Sequence, residues 1–345
     1  MRRVLQFTDS YPAPHLAAIL DVKIAKAART GLTSSPKSLP SWLLYDDAGQ
    51  RLFDRLTRLP EYYLTRTEQR ILESNGDDIL AAASGPEHLS VWELGAGHAN
   101  KSLGLLRTLV HRQGRADYLP IDTTSSALWT AELNVRQALP AVHVHSRHTD
   151  SLADVSLNAR HENRWLVLCL GSSIGNGDFT EAVKLLRNVR RQLQPGDALL
   201  LGTDMMKPSP VLHSAYNDSL GVTATFNKNL LLRLNRELAA DFDLSTFEHR
   251  AVWNWRQCRM EMHLVSRIDQ TVHLRALDCA ISLTAEESIH TQNSYKFTEA
   301  GVTELLECAG FLPEKSWFDD RRWYGVHLAR AKEWMEYPLH AENAA

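Results

Sequence analysis

Long apolar runs are missing from this chain of 345 residues. No stretch approaches the ~18 consecutive apolar residues that a transmembrane helix needs. The first residues, MRRVLQFTDSYPAPH, also lack the apolar segment of a secretory signal peptide. We therefore expect a soluble, cytoplasmic protein that has no membrane partner.

Cysteine is scarce, and the histidines form no metal-binding motif. The 15 histidines include no helical H-x-x-x-H pair. The cysteines are scattered without C-x-x-C spacing: Cys169, Cys258, Cys279 and Cys308. This usage predicts reduced thiols and no metal site, rather than disulfides or a zinc centre.

An excess of positive charge is absent as well. The 38 Lys and Arg residues are offset by 41 Asp and Glu residues, which gives a formal net charge of −3. Proteins that bind nucleic acid or anionic membranes usually carry a basic surface. We therefore expect a small-molecule partner and no nucleic acid, and we expect the chain to be a monomer.

A glycine turn is the most informative feature that is present, in the segment VWELGAGHANK at 91–101. The apolar residues before it suggest a strand, and those in the following LGLLRTLVHR recur at helical spacing. Gly95 and Gly97 allow the backbone to turn sharply and to approach a ligand closely. The pattern predicts a nucleotide-type site, although an ordinary strand-to-helix turn gives the same pattern.

The spacing around this turn favours S-adenosylmethionine over NAD as the cofactor. A dinucleotide fingerprint needs a third glycine three residues after the second, where this chain has Asn100. Glu93, just before the turn, can approach the cationic end of a cofactor that carries an amine. Asp122 ends the next strand-like segment, where a carboxylate can accept hydrogen bonds from both ribose hydroxyls.

Strand and helix patterns alternate from residue 88 to residue 204, and the strands are almost entirely apolar. This alternation predicts an α/β fold with a parallel sheet covered on both faces. Ligands of such sheets bind beyond the carboxyl ends of the strands. The predicted strand ends bring polar residues to one rim: 93–97, 122, 148–150, 171–176 and 202–204.

The alternation stops after Asp204. Residues 205–240 have helical patterns, and 248–283 alternate like antiparallel strands. We therefore predict a second lobe, made of residues 1–64 and 205–290, that packs over the rim of the sheet. The core consists of residues 65–204 and is completed by residues 291–345, which contain a helix and a strand hairpin.

Three local patterns near the rim allow more than one interpretation. Asn176 suits the ammonium and carboxylate groups of an amino acid, but it could also cap the helix that begins near Phe179. The tyrosine pair at 62–63 either contacts a ligand or covers the edge of the core. Thr65, followed by Glu68 three residues later, predicts a capping box.

Several long segments resemble the histidine Nα-methyltransferases of ergothioneine biosynthesis, over about residues 40–335. The matching segments are LPEYYLTRTE, ELGAGHANKS, PIDTTSSAL, LGSSIGN, LLLGTDMMK, AYNDSLGVTATFNKNLLLRLNRELAADFD and EMHLVS. The resemblance implies a class I methyltransferase with a Rossmann-like sheet and a second, α+β substrate-binding lobe. It also implies threefold methylation of an α-amino group by S-adenosylmethionine.

The resemblance also implies roles for individual residues. Those matching the family's cofactor contacts are Tyr45, Gly95, Lys101, Asp122, Asp150 and Ser151. Those matching its amino-acid contacts are Tyr62, Asn176 and Tyr216, with Phe53 and Met262 lining the side-chain pocket. Among these, Tyr45, Tyr62 and Asn176 are expected to orient the reacting amine.

One departure from the family affects the expected substrate. The family grips the imidazole ring with the Glu and Ser of a T-E-x-S run, whereas this chain has Gln292 and keeps Ser294. A neutral amide binds an imidazolium more weakly than a carboxylate does, by around tenfold. Histidine is the expected substrate, and the alternatives are another aromatic amino acid such as tryptophan, or binding of the cofactor without catalysis.

Overall fold

A computed structural model describes residues 21–85, 87–152, 155 and 163–332. The segment compared above with a signal peptide lies outside these residues. The helices are α1 Val22–Thr33, α2 Asp47–Leu56, α3 Tyr63–Ser84, α4 Leu103–Gln113, α5 Ser125–Ala138, α6 Phe179–Arg190, α7 Ser209–Tyr216, α8 Val222–Leu238 and α9 Glu299–Cys308. The strands are β1 Lys37–Ser38, β2 Leu89–Leu94, β3 Ala116–Asp122, β4 Val142–Val144, β5 Arg147–His148, β6 Arg164–Cys169, β7 Ala198–Asp204, β8 Phe247–Asn254, β9 Arg259–Ser266, β10 Gln270–Leu274, β11 Cys279–Leu283, β12 Ser288–Tyr295, β13 Phe311–Phe318 and β14 Tyr324–Ala331.

The larger sheet, here called the core sheet, has the order β13-β14-β7-β6-β2-β3-β4, with β5 also beside β3. The strands from β7 to β4 run parallel, and β14 is antiparallel to both of its neighbours, β7 and β13. In β6, Leu166 and Leu168 pack into one hydrophobic cluster, whereas Val167 and Cys169 pack into another. Because consecutive strand residues face opposite sides, both faces of the sheet are buried, as the apolar strand patterns predicted.

The smaller sheet, here called the lobe sheet, has the order β1-β12-β9-β8. It packs against α7 and α8. The sheet combines β1, from the N-terminal part of the predicted second lobe, with strands from the part after residue 204. The boundary predicted between residues 290 and 291 is wrong, because it falls inside β12, which pairs with β9 from Ser288 to Tyr295. We place that boundary after Tyr295.

Two local predictions are corrected by the helix starts. α3 begins at Tyr63, so Thr65 and Glu68 lie inside the helix and form no capping box. Glu68 is fully buried. Asp178 is the N-cap of α6. Its side chain accepts a hydrogen bond from the Glu181 backbone N–H, and the Glu181 side chain accepts one from the Asp178 backbone N–H, which completes a capping box. Asn176 is therefore not the cap of this helix.

No helix in the described residues is both long and apolar enough to cross a membrane. The same part of the chain contains no cluster of His, Cys, Asp and Glu side chains that would suit a metal ion.

Candidate active site

The glycine turn after β2 is joined to the end of β3 by backbone hydrogen bonds. Gly95 and Gly97 have φ of +65° and +53°, a left-handed conformation that favours glycine. The Gly95 N–H donates to the Ile121 carbonyl at 2.8 Å. The turn therefore lies at the carboxyl edge of the core sheet, where the sequence predicted a ligand.

Asp122 is held at this edge by two backbone N–H groups. Gly97 donates to Oδ2 and Thr124 donates to Oδ1, each at 2.9 Å. Each carboxylate oxygen keeps a second acceptor position. These two acceptor positions suit the ribose hydroxyls of S-adenosylmethionine, and contact with the ribose stays a prediction.

Glu93 is enclosed at the end of β2. Its carboxyl group accepts a short hydrogen bond from the Tyr118 hydroxyl, and only 2% of the residue is exposed. Burial raises the pKa of Glu93 to about 7, although hydrogen bonds from Tyr118 and Ser102 oppose this effect. Contact between Glu93 and the amino group of the cofactor stays a prediction, since the carboxyl group already has an internal partner.

Lys101 is positioned by Glu68, a residue that the sequence pattern had placed in a helix cap. The Lys101 ammonium lies 3.0 Å from Glu68 Oε2. Glu68 Oε1 accepts hydrogen bonds from the Gly171 N–H and the Tyr324 hydroxyl, both at 2.7 Å. A Cβ at residue 171 would come within 2.5 Å of the ammonium, so glycine leaves the space that Lys101 occupies.

Asp150 and Ser151 lie on the loop after β5, near the second lobe. The Lys23 ammonium, on α1, donates to the Asp150 carbonyl at 2.6 Å. The Thr149 hydroxyl donates to the Ser151 carbonyl at 2.9 Å. The Asp150 residue is exposed, so its carboxylate is open to a ligand.

Helix α2 of the second lobe reaches across to the glycine turn. Asp54 lies 3.1 Å from His98, which follows the turn. The Ser126 hydroxyl, on α5, donates to Asp47 at 2.5 Å. The edge of the core sheet that carries the glycine turn is therefore covered by a helix from the predicted second lobe.

An aromatic row from the second lobe and the start of α3 lies beside this edge. The Tyr45 and Phe53 ring centroids are 5.6 Å apart, and those of Phe53 and Tyr62 are 6.2 Å apart. Tyr62 then meets Tyr216 at 6.4 Å. Each pair has an edge-to-face arrangement, which aromatic rings favour.

Gln292 connects this row to the core. Its amide donates to Asn176 Oδ1 at 3.3 Å, and its side chain lies close enough to Tyr45 to oppose the rise in the pKa of that hydroxyl. Met262 lies directly opposite Gln292 in the β9–β12 pair. A register shift between His290 and Gln292 marks a bulge in this strand pair. The neutral amide of Gln292 thus lies between two residues predicted to orient the amine.

Ser294 is the last residue in this set of contacts. Its hydroxyl lies 2.6 Å from the Tyr216 hydroxyl, and in β12 it is two residues from Gln292, on the same face of the strand. A series of contacts therefore connects the residues of the predicted amino-acid site, in the order Asn176, Gln292, Tyr45, Phe53, Tyr62, Tyr216 and Ser294.

A buried ionic cluster lies behind Tyr216 and Ser294, and sequence reasoning missed it. Lys296 donates to Tyr216 at 2.9 Å and to Ser294 at 2.7 Å, and it lies 2.8 Å from Asp204 Oδ2. Lys207 makes a short ion pair with the same carboxylate. The side chains of both lysines and of Asp204 have no exposed surface.

The charges of this cluster depend on one another. Burial acts to raise the pKa of Asp204, but Lys296 and Lys207 outweigh it and hold that pKa below its ordinary value. Burial lowers the pKa of Lys207 to about 8, although Asp204 opposes it. Burial also opposes the charge on Lys296, but Asp204 and Tyr216 raise its pKa above the ordinary value. Lys296 is therefore a charged donor at neutral pH.

The two tyrosines expected to orient the amine are neutral phenols near neutral pH. Burial raises the pKa of Tyr45 to about 12, a rise that the bond to Gln292 reduces. Burial and the neighbouring Tyr216 raise the pKa of Tyr62 well above its ordinary value. Both residues can exchange hydrogen bonds with a ligand, but neither is suited to accept a proton as a phenolate.

Residues 24–331 match the family model described as histidine-specific, S-adenosylmethionine-dependent methyltransferase. The Histidine N-alpha-methyltransferase of Mycolicibacterium smegmatis is 39% identical over 306 residues, which cover 89% of this chain and 94% of that protein. The protein of the same name from Mycobacterium tuberculosis is 37% identical over 317 residues, or 92% of this chain and 96% of that one. Ergothioneine biosynthesis protein 1 of Neurospora crassa is 27% identical over 312 residues, or 88% of this chain and 34% of that one.

Proposed function

The chain belongs to the histidine-specific, S-adenosylmethionine-dependent methyltransferases, and we propose that it methylates the α-amino group of free L-histidine. The mostly parallel core sheet has the class I methyltransferase architecture that the resemblance implied. Three successive transfers give the trimethylated betaine hercynine, which belongs to ergothioneine biosynthesis, the process for which the Neurospora crassa relative is named.

The observation that carries this proposal is the series of contacts between the lobes. It joins residues from four distant parts of the chain, represented by Tyr45, Asn176, Tyr216 and Gln292. Its hydroxyl and amide groups offer both donors and acceptors, which an amino acid needs for its carboxylate and its amine. This series of contacts borders the predicted cofactor site through Tyr45, whose carbonyl lies 3.5 Å from the Thr124 hydroxyl.

Positioning is the main task of these residues in methyl transfer. S-adenosylmethionine supplies an electrophilic methyl group, so the chain has to hold an unprotonated amine in line with it at about 3 Å. Asn176, Tyr45 and Tyr62 can orient that amine through hydrogen bonds, and no covalent nucleophile is needed. Because both phenols hold their protons tightly, the amine must lose its proton without a tyrosinate acting as the base.

The proposal is tested by incubating the protein with S-adenosylmethionine and a panel of amino acids, followed by mass spectrometry. We expect methylated histidine as the main product. Cofactor binding with no methylated product from any amino acid would instead favour a non-catalytic binding protein. Methylated tryptophan in excess over histidine would favour the alternative substrate.

Gln292→Glu tests whether residue 292 contacts the side chain of the substrate. We expect the KM for histidine to fall by around tenfold, because a carboxylate makes a charge-assisted bond to the ring. Gln257→Glu, in the exposed turn between β8 and β9, adds the same charge elsewhere on the lobe and is the control. Equal effects of the two variants would show that only net charge matters.

We also propose, from the absence of a basic run in the sequence, that the protein acts without nucleic acid. A monomeric state and a cytoplasmic location stay predictions of the sequence. Size-exclusion chromatography with light scattering tests the first of these.

A further inference from the structure

Lys296 lies fully buried behind the amino-acid pocket, and no sequence motif singles it out. We propose that Lys296 is a positioning residue: by donating to both Tyr216 and Ser294, it leaves these two hydroxyls a single hydrogen between them for a ligand, which a substrate carboxylate draws from Tyr216. The pocket then donates one O–H to the carboxylate of its substrate and accepts one N–H from the side chain. This inference rests on the proposed function, because it specifies how that same pocket selects its amino acid.

The first step is an inventory of hydrogens. An ammonium group has three hydrogens and no acceptor. Lys296 has three acceptors within 2.9 Å, which are Asp204 Oδ2, Tyr216 Oη and Ser294 Oγ. Both hydroxyl oxygens therefore accept a hydrogen from Lys296, and neither can donate to it.

The second step concerns the two hydroxyls themselves. Tyr216 Oη and Ser294 Oγ are 2.6 Å apart, so one of them donates to the other. Two hydroxyl hydrogens are available, and this bond uses one of them. The trio consequently has a single hydrogen left to offer to a ligand.

The third step is the match to a substrate. A carboxylate only accepts hydrogen bonds, so Tyr216 can bind one only if its own hydrogen points into the pocket. Ser294 must then donate to Tyr216, which leaves a free lone pair on Ser294 Oγ. That lone pair accepts an N–H, which imidazole and indole side chains possess and phenyl or thioether side chains lack.

Lys207 provides a matched control within the same cluster. Both lysines pair with Asp204, and both side chains are fully buried. Lys207 pairs with Oδ1 of Asp204, whereas Lys296 pairs with Oδ2. Lys207 also donates to the Met205 carbonyl, and its ammonium lies 4.7 Å from the centre of the Tyr63 ring. Lys207→Met therefore removes one buried charge and leaves the three hydrogen-bonded groups of the proposal in place.

The test is calorimetric titration of L-histidine into protein saturated with S-adenosylhomocysteine. We expect Lys296→Met to weaken histidine binding by about tenfold or more and Lys207→Met to weaken it by less than about threefold, the ordinary variation for a change outside the bonded set. Tyr216→Phe should match Lys296→Met, and the double variant should bind no more weakly than Tyr216→Phe alone, because Lys296 is proposed to act on the substrate through the Tyr216 hydroxyl.

Two additional variants extend the test. Lys296→Gln keeps an N–H donor without the charge, so we expect a loss between those of the two methionine variants, which also covers the case that Lys296→Met does not fold. Ser294→Ala should lower the ratio of histidine to phenylalanine affinity, since only histidine can use the Ser294 acceptor.

The outcomes separate the inference from the proposed function. Equal weakening by Lys296→Met and Lys207→Met, or full additivity with Tyr216→Phe, would overturn the role of Lys296. An unchanged histidine-to-phenylalanine ratio in Ser294→Ala would overturn the N–H selection. Failure of the unmodified protein to bind histidine would instead count against the proposed function itself.

Discussion

Glu93 illustrates at the scale of one residue how burial changes a carboxyl group. The sequence predicted a carboxylate facing the cofactor, but the side chain is enclosed by the Tyr118 hydroxyl and Ser102. Burial raises its pKa to about 7. The folded protein therefore loses stability as the pH rises from the reference value of 4.5 toward 7.

Glu93→Gln should remove this pH dependence. The folded pKa of about 7 exceeds the reference value of 4.5, so the folded state binds the proton more tightly, and stability is lost as the pH rises between these values. We expect the free energy of unfolding of the variant, relative to the unmodified protein, to increase by about 3 kcal/mol from about pH 4.5 to pH 8. Urea denaturation without ligand measures this difference.

The control is Glu73→Gln, on the exposed side of α3, which also removes one carboxylate. We expect its relative stability to change little over the same pH range. A constant difference between Glu93→Gln and the unmodified protein at all pH values would contradict the pKa assigned to Glu93.

At the scale of one element, helix α2 connects the two halves of the site. It carries Phe53 toward Tyr62 of the predicted amino-acid site and Asp54 toward the glycine turn. The position of its first turn is fixed by Asp46, which accepts hydrogen bonds from the Gly49 N–H at 2.7 Å and the Asn229 amide at 2.8 Å. The second bond joins α2 to α8, so one side chain fixes both the start and the docking of the helix.

Asp46→Ala should loosen α2. We expect a loss of about 2 kcal/mol in the free energy of unfolding, because the variant removes the N-cap and leaves the Asn229 amide without this acceptor. Asp46→Asn keeps an oxygen acceptor and loses mainly the ion pair with the half-exposed Arg236, so its expected cost is below about 1 kcal/mol. Denaturation of both variants checks the order, and equal losses would mean that the ion pair, rather than the cap, holds the helix.

At the scale of the whole molecule, strand direction decides where ligands bind. The parallel strands bring Gly95, Asp122 and Gly171 to one edge of the core sheet, and α2 of the second lobe covers that edge. The opposite edge carries the starts of the same strands, including Asp117 of β3. Strand β3 thus carries one carboxylate near each of its two ends, on opposite edges of the sheet.

Asp122→Ala and Asp117→Ala form a matched pair for this arrangement. A ligand at about 100 times its Kd raises the free energy of unfolding by about 2.7 kcal/mol, and we expect S-adenosylhomocysteine to do so for the unmodified protein and for Asp117→Ala. The increase should be largely lost in Asp122→Ala, because the acceptors for the ribose hydroxyls are gone. Thermal or chemical unfolding with and without the ligand measures it, and a full increase in Asp122→Ala would place the cofactor elsewhere.

The sequence by itself determined the features that depend on neighbouring residues. The glycines at 95 and 97, the apolar strand at 164–169 and the C-terminal hairpin follow from local backbone preference and burial periodicity. The family resemblance supplied Tyr45 and Tyr216, whose residue types alone predicted nothing. These predictions required no knowledge of which distant segments pack together.

Only the tertiary structure decided the partners of the buried polar groups. Glu68 meets the Gly171 N–H across 103 positions of sequence, and Lys296 meets Tyr216 across 80. The capping pattern around Glu68 predicted the wrong role. The same local sequence is compatible with a helix cap and with a buried position inside a helix, and only the packing decides between them. The physical reason is that a buried charge is stable only with its hydrogen-bond partners, and those partners are brought together by the packing of elements that are far apart in the chain.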